Sequence, residues 1–229
     1  MDEKCEGNVQ IMNKIKLLIF DLDGTIADTI WSIRDGVNMT LESYGMPTRS
    51  YDEIRMAIGN GARELIRRSM PDKASCDTEL VDKVFCDYNK NYGLTYTHID
   101  GCYDGMSEAM HTLKTRGYTL AVLSNKQDLY VKKIVELLFP DGIVSFAMGQ
   151  TELPKKPDPT VPLMIARDLG FVPEQTAFIG DSEVDVLTGI NAKMMTVGCA
   201  WGYRGREVLE DAGADMVIDR ASELERIFE

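Results

Sequence analysis

The chain is short of cations, of histidine and of long apolar runs. It carries 25 Lys and Arg against 37 Asp and Glu, a formal net charge of −12 over 229 residues. That balance argues against nucleic acid and anionic membrane as partners and suits a freely soluble protein. The two histidines, His98 and His111, lie far apart without ligand spacing, so surface or capping roles are expected of them. No apolar stretch approaches the roughly 18–20 residues of a membrane span. Five cysteines (Cys5, Cys76, Cys86, Cys102, Cys199) are scattered with no C-x-x-C pair. They point to reduced thiols in a cytoplasmic protein rather than to a disulfide frame or a zinc site. No repeat or low-complexity segment is present. Asp2, Glu3 and Glu6 do not fit the basic-then-apolar layout of a signal peptide, and residues 1–13 are expected to be a mobile leader.

What is present is an alternation of elements. Leu17-Leu18-Ile19-Phe20 is a short apolar run before a glycine turn and reads as a buried strand. From Ile30 the apolar spacing turns helical through Ile33, Val37, Leu41 and Tyr44, stopping at Gly45 and Pro47. Ser50 and Glu53 have the spacing of a capping box, Gly59-Asn60-Gly61 breaks the chain, and Ala62–Ser69 resumes as helix. Leu80, Val81, Val84, Phe85 and Tyr88 make a further helical face. Residues 28–98 therefore read as an all-helical insert.

From about residue 105 helices and strands alternate. Strands are predicted at 119–123, 143–147, 176–179, 194–197 and 216–218. Helices are predicted at 106–116, 129–138, 159–169, 184–191, 204–212 and 223–228. This order implies an α/β fold with a doubly wound parallel sheet, formed by residues 1–27 and 99–229, with the helical insert at 28–98.

The chemistry-bearing residues fall where these strands end. Asp21 and Asp23 flank Leu22 directly after the first strand, at the sheet edge where open α/β folds bind ligands. Carboxylates placed there need a cation, and Mg²⁺ with a phosphate is the natural pair. Asp21 can attack phosphorus, while Asp23 can protonate the leaving oxygen and then activate water. Gly24 lets the backbone turn with its amides free for phosphate oxygens. Ser124 and Asn125 follow Leu120–Leu123 and suit a phosphate oxygen through a hydroxyl and backbone amides. Lys156, between Lys155 and Pro157, supplies a point charge for the nucleophile and the phosphoryl group. Asp181 ends the strand at 176–179 and can join Asp21 on Mg²⁺. Asp185, one helical turn on, can bond a metal-bound water or Lys156. Each of these patterns alone is an ordinary turn or helix cap; their joint order is not. The spacing after Asp21 lacks the further ligands of a calcium loop.

Taken together, Asp21-Leu22-Asp23-Gly24-Thr25, Ser124-Asn125, Lys156-Pro157 and Gly180-Asp181-Ser182 with Asp185 resemble the four motifs of the haloacid-dehalogenase superfamily. Ile58-Gly59-Asn60-Gly61-Ala62 and Ala200-Trp201-Gly202-Tyr203 are similar to its phosphoglycolate-phosphatase branch. The resemblance covers nearly all of residues 14–229. It implies a Rossmann-like core, a helical cap at 28–98, and Mg²⁺-dependent hydrolysis of a small phosphate ester through an aspartyl-phosphate on Asp21. Asp21, the Asp23 backbone carbonyl and Asp181 would hold the metal, with Asp185 behind them. Asp23 sets the chain apart from the dehalogenases and phosphonate-cleaving members, which by the same resemblance change this residue. Relatives often have Gly where this chain has Lys193.

In the insert, Asn60 and Arg63 are the candidates to reach a substrate's distal group, Arg63 suiting a carboxylate. A phosphomutase of the β-phosphoglucomutase type, a pyrophosphatase and a silent phospholigand-binding module are the alternatives to a phosphatase. The oligomeric state, monomer or homodimer, is not written in the periodicity.

Overall fold

A computed structural model describes residues 14–229, so the expected leader at 1–13 lies outside the described residues. Strand β1 (Leu17–Phe20) is the centre of the molecule. It pairs in parallel with β2 (Thr119–Gln127) on one side and β4 (Thr176–Gly180) on the other. The strands β3 (Val144–Gln150), β5 (Met195–Cys199) and β6 (Met216–Ile218) complete a six-stranded sheet. Its order is β3-β2-β1-β4-β5-β6, and all pairings are parallel.

Both faces of this sheet are covered, and the strand period of two decides which side chain goes where. Leu18 and Phe20 of β1, with Leu120 and Val122 of β2, enter one core. There they meet α6 (Met106–Thr115), α7 (Asp128–Leu138) and the C-terminal α11 (Leu224–Ile227). Leu17 and Ile19, with Ala121 and Leu123, enter the opposite core with α8 (Thr160–Asp168) and the end of α9 (Glu183–Ala192). A short helix, α10 (Arg206–Asp211), sends Leu209 against β5.

Between β1 and β2 the chain forms α1 (Ile30–Ser43), α2 (Tyr51–Ala57), α3 (Ala62–Ser69), α4 (Asp72–Ser75) and α5 (Thr78–Thr95). The Ser50–Glu53 capping box forms, with Ser50 N donating to Glu53 Oε2 at 2.8 Å. Ile30, Ile33, Val37 and Leu41 of α1 pack on Val81, Val84, Tyr88 and Tyr92 of α5. This core does not close on itself. Tyr130 of α7 and Tyr203 after β5 belong to it, so the insert is seated on the sheet domain through two tyrosines.

Two local outcomes differ from the reading of the sequence. β2 was expected to stop at Leu123 but runs on to Gln127, which pairs with Gln150. The register with β3 shifts between Leu123 and Gln127, so Ser124, Asn125 and Lys126 sit in an irregular stretch inside the strand. Such bulges re-aim side chains at strand ends. Gly149 of β3 permits this one: a Cβ there would collide with the Lys126 carbonyl. The second outcome is the end of α9, where Lys193 takes φ 58°, the one non-glycine residue with positive φ among the described residues. It caps the helix in the left-handed conformation that glycine adopts without cost.

Candidate active site

The strand order reverses between β1 and β4, and the crevice outside the carboxyl ends of strands opens at such a switch point. Asp21 follows β1 and Asp181 follows β4, so the two carboxylates face each other there by topology alone. Gly24, with φ 86°, turns the chain tightly under Asp181, and a Cβ on it would strike the Asp181 carboxylate. Asp181 is braced by Thr25 Oγ1 (3.0 Å) and by the Tyr203 amide (2.7 Å). Carboxylate oxygens of Asp21, Asp181 and Asp185 all lie within 4.8 Å of one another.

Lys156 reaches this group from the loop after β3. Its ammonium is 3.0 Å from Asp21 Oδ1 and 2.6 Å from Asp185 Oδ1. Asp185 gives its second oxygen to the Ser182 hydroxyl (2.6 Å) and amide (3.1 Å), so it anchors Lys156 to the start of α9. Asn125 holds the Lys156 loop in place. Its Nδ2 donates to the Lys156 carbonyl (3.1 Å) and the Gly59 carbonyl (3.0 Å), and its Oδ1 accepts from the Lys156 amide (2.9 Å). The Asn125 side chain is thus consumed as a brace between the sheet domain and the insert. Ser124 lines the cleft beside it.

Asp21 and Asp23 share a pattern. Asp21 Oδ1 accepts from the Leu22 amide (2.7 Å) and from Lys156. Asp23 Oδ1 accepts from the Thr29 hydroxyl and from Lys126 Nζ (2.8 Å). In each carboxylate the other oxygen has no protein partner among the described residues, and both residues line the cleft. One oxygen is pinned and one is left for a ligand.

The charges are out of balance. Burial raises the Asp21 carboxyl to about 7; Lys156 opposes the rise, and Asp185 and Asp23 add to it. Burial, Asp185 and Asp21 also push Asp181 well above the ordinary carboxylate range. Lys156 stays charged: burial disfavours its ammonium, but Asp185 and Asp21 more than offset that and hold it above its usual value. The two ammonium groups of Lys126 and Lys156 face four carboxylates. A divalent cation would supply the missing charge, and carboxylate oxygens are what hard Mg²⁺ prefers. The donor set of Asp21 and Asp181 fits it.

The remaining expectations divide. The turn at Gly59 and Gly61 does line the cleft, but Asn60 and Arg63 do not. Asn60 offers only its carbonyl, to Lys155 Nζ at 2.7 Å. Arg63 is exposed and pairs with Asp82 at 2.6 Å on the surface of the insert. The first turn of α3 directs Leu65 inward and Arg63 outward, which the motif spacing alone does not reveal. His98 and His111 lie on the surface, on Asp35 and on Ser107 with Asp141.

Two residues in the cleft were missed by sequence reasoning. Lys126 is half-buried with its side chain nearly out of solvent, its ammonium 4.8 Å from the centre of the Tyr92 ring. No periodicity announces it, since it sits in the irregular stretch of β2 where strand alternation is broken. Arg204 donates to the carbonyls of Arg55 (2.7 Å) and Ile58 (2.6 Å) at the end of α2, while Arg55 donates back to the Tyr203 carbonyl (3.1 Å). This reciprocal latch ties the segment after β5 to the insert, and nothing local in the sequence announces it.

The doubly wound sheet carries an acidic cluster at its switch point, with the Lys126 and Lys156 ammonium groups beside it and a helical insert lining the same cleft. The family profile described as haloacid dehalogenase-like hydrolase matches residues 18–199. Phosphoglycolate phosphatase of Psychrobacter arcticus is 34% identical over 194 residues, covering 82% of this chain and 84% of that one. The Haemophilus influenzae phosphoglycolate phosphatase is 31% identical over 218 residues, covering 92% and 97%. The crystal structure of a predicted phosphoglycolate phosphatase from Haemophilus somnus superposes with a TM-score of 0.82 at 26% identity, covering 94% of this chain and 99% of that one. The chain belongs to the haloacid dehalogenase-like hydrolase family. It resembles the phosphoglycolate phosphatases of that family. No helix among the described residues is long and apolar enough to cross a membrane.

Proposed function

We propose that this enzyme is a Mg²⁺-dependent phosphatase of small phosphate monoesters of the 2-phosphoglycolate kind, working through an aspartyl-phosphate on Asp21. The observation that carries the reading is the paired state of Asp21 and Asp23: one oxygen of each is fixed, the other is open, and both face one cleft.

In the first step the open oxygen of Asp21 attacks phosphorus, and the bond from phosphorus to the ester oxygen breaks. Asp23 gives its proton to that departing oxygen, so an alcohol leaves rather than an alkoxide. In the second step Asp23 takes a proton from water as the water attacks phosphorus. The bond to Asp21 then breaks, releasing inorganic phosphate and restoring the Asp21 carboxylate and the protonated Asp23. Lys156, fixed by Asp185, offsets the charge of Asp21 on approach and that of the phosphoryl oxygens in flight. The Ser124 hydroxyl and the Asn125 backbone amide hold a phosphoryl oxygen; the Asn125 side chain keeps that amide in place. Asp21, the Asp23 carbonyl and Asp181 would hold Mg²⁺, with Asp185 behind them, and the ion would neutralise the phosphoryl oxygens. The insert excludes bulk water from the cleft.

The test is phosphate release from 2-phosphoglycolate, sugar phosphates, nucleotides and pyrophosphate, in Mg²⁺ and in EDTA, with Asp21→Asn alongside. Mg²⁺-dependent release that the variant lacks, strongest with phosphoglycolate, is the expected result. Isomerisation of a sugar phosphate without release would make the enzyme a mutase. Binding without turnover of any compound would make it a phospholigand-binding module.

A further inference from the structure

Three cationic side chains line the cleft: Lys126, Lys156 and Arg204. Two of them are spent. Lys156 is shared by Asp21 and Asp185, and Arg204 donates to two carbonyls and lies 3.4 Å from Glu183. Lys126 is different. An ammonium has three N–H donors, and the one carboxylate that Lys126 meets is Asp23, through a single oxygen. Its other neighbour is Tyr92, whose hydroxyl takes a second donor and whose ring face attracts the cation, which leaves one donor of the three. Donor capacity is therefore left over on a cation whose side chain is only 7% exposed. Low exposure strengthens whatever anion it meets, because little water competes.

Its position specifies the anion. Lys126 Nζ is 2.8 Å from the pinned oxygen of Asp23, and the other oxygen of Asp23 faces the cleft. On the reading above, that open oxygen protonates the ester oxygen of the substrate. Lys126 lines the same cleft as Asp23, so it is the cation within reach of a group bonded to the ester carbon. A carboxylate on that carbon would share the ammonium with Asp23. Arg63, the cation of the insert that suits a carboxylate by sequence, is held outside the cleft by Asp82.

We propose that Lys126 is the specificity-determining residue of this enzyme, selecting phosphate esters that carry a carboxylate on the carbon next to the ester oxygen. The assignment rests on the phosphatase reading. Selectivity for the acid thus comes from strand β2 of the sheet domain. The insert contributes the Tyr92 ring beneath the ammonium.

The test compares 2-phosphoglycolate with ethyl phosphate, which replaces the carboxylate by a methyl group, in the presence of Mg²⁺. The wild-type enzyme is expected to prefer phosphoglycolate in kcat/KM. Lys126→Met is expected to lower the ratio of the two kcat/KM values by roughly ten- to a hundredfold, the worth of a charged hydrogen bond. Most of that change falls on KM for phosphoglycolate. Any loss through Asp23 is common to both substrates and cancels in the ratio. Lys126→Arg is expected to keep part of the preference, and Lys126→Gln gives the same comparison if the Met variant fails to fold. Equal losses on both substrates would overturn the assignment and reduce Lys126 to a support for Asp23. A wild-type enzyme that hydrolyses both esters equally would overturn it too, while leaving the phosphatase reading intact. Release of phosphate from neither ester nor from any other compound would remove both readings.

Discussion

The two halves of the cleft are built on different principles. On the sheet side, each charged group is buried and fixed by another: Lys156 by Asp21 and Asp185, Asp185 by Ser182, Asp181 by Thr25 and Tyr203. On the insert side the charges of α3 face outward. Arg63 pairs with Asp82, and Arg67 and Arg68 share Glu64 along the exposed face of α3. What the insert offers the cleft is backbone and apolar surface: the Gly59 carbonyl, Ile33, Ile58, Ala62 and Leu65. The difference assigns chemistry to the sheet domain and enclosure to the insert. Of the groups that join them, Asn125, Arg204 and Lys126 come from the sheet side, and Arg55 of α2 answers from the insert.

The comparison breaks first at Asp21. Asp21→Asn is expected to lower kcat by at least about 10³-fold, since the amide keeps the shape but is no nucleophile. The same variant changes the stability of the metal-free protein in the opposite direction. Asp21 holds its proton up to about pH 7 in the folded protein, against 3.8 for an ordinary aspartate. The folded state therefore binds more protons than the unfolded state between those values, so its stability falls as pH rises through that window and levels off above it. Melting curves in EDTA from pH 4 to pH 8 should show that fall in the wild type and a flatter profile, with a higher melting temperature at pH 8, in Asp21→Asn.

Asp181→Ala comes next. It removes a carboxylate from the group suited to Mg²⁺ and should shift the activation curve to roughly tenfold or higher Mg²⁺, by the general sensitivity of metal sites to their ligands. An unchanged Mg²⁺ titration would take Asp181 out of the site. Arg204→Ala tests the junction. Loss of two hydrogen bonds from a charged donor to α2 should loosen the insert, raise KM by several-fold and speed hydrogen exchange in residues 51–61. An exchange pattern identical to the wild type would show that the latch does not hold the insert.

The smallest effects belong to surfaces outside the cleft. Lys193→Gly should stabilise the protein by about 1 kcal/mol, because glycine takes the left-handed conformation without a Cβ clash. Denaturant melts give the value. Arg63→Ala should leave kcat/KM within about twofold, as an exposed pair contributes little. A large loss of activity there would return substrate recognition to the insert and undo the contrast between the two sides.

Much of this was legible without coordinates. The apolar run before Asp21 can only be a buried strand, and carboxylates directly after such strands must gather at one edge of a parallel sheet. Period-two and period-3.6 patterns located β1, β6 and α3 to the residue. The end of β2 was misread because Ser124, Asn125 and Lys126 look like the start of a loop. Whether such residues leave a strand or bulge within it depends on its neighbour, and the Gln127–Gln150 pairing decides that from β3. Arg63 was misdirected for a related reason. Its residue type suits a carboxylate, but a helix rotates each position by a fixed angle, and the packing of Leu65 and Ile66 against the insert's core sets which face is outward.

Local sequence alone determined the elements, the sheet class and the gathering of Asp21, Asp23, Lys156 and Asp181, because those follow from periodicity and from the chirality of parallel crossovers. Tertiary structure alone decided which charges are already satisfied. Asn125 is spent as a brace, Arg204 as a latch and Arg63 on Asp82, while Lys126 keeps one donor to spare. A side chain's type states what it can bind. Only the distances to residues far away in the chain state what it has already bound.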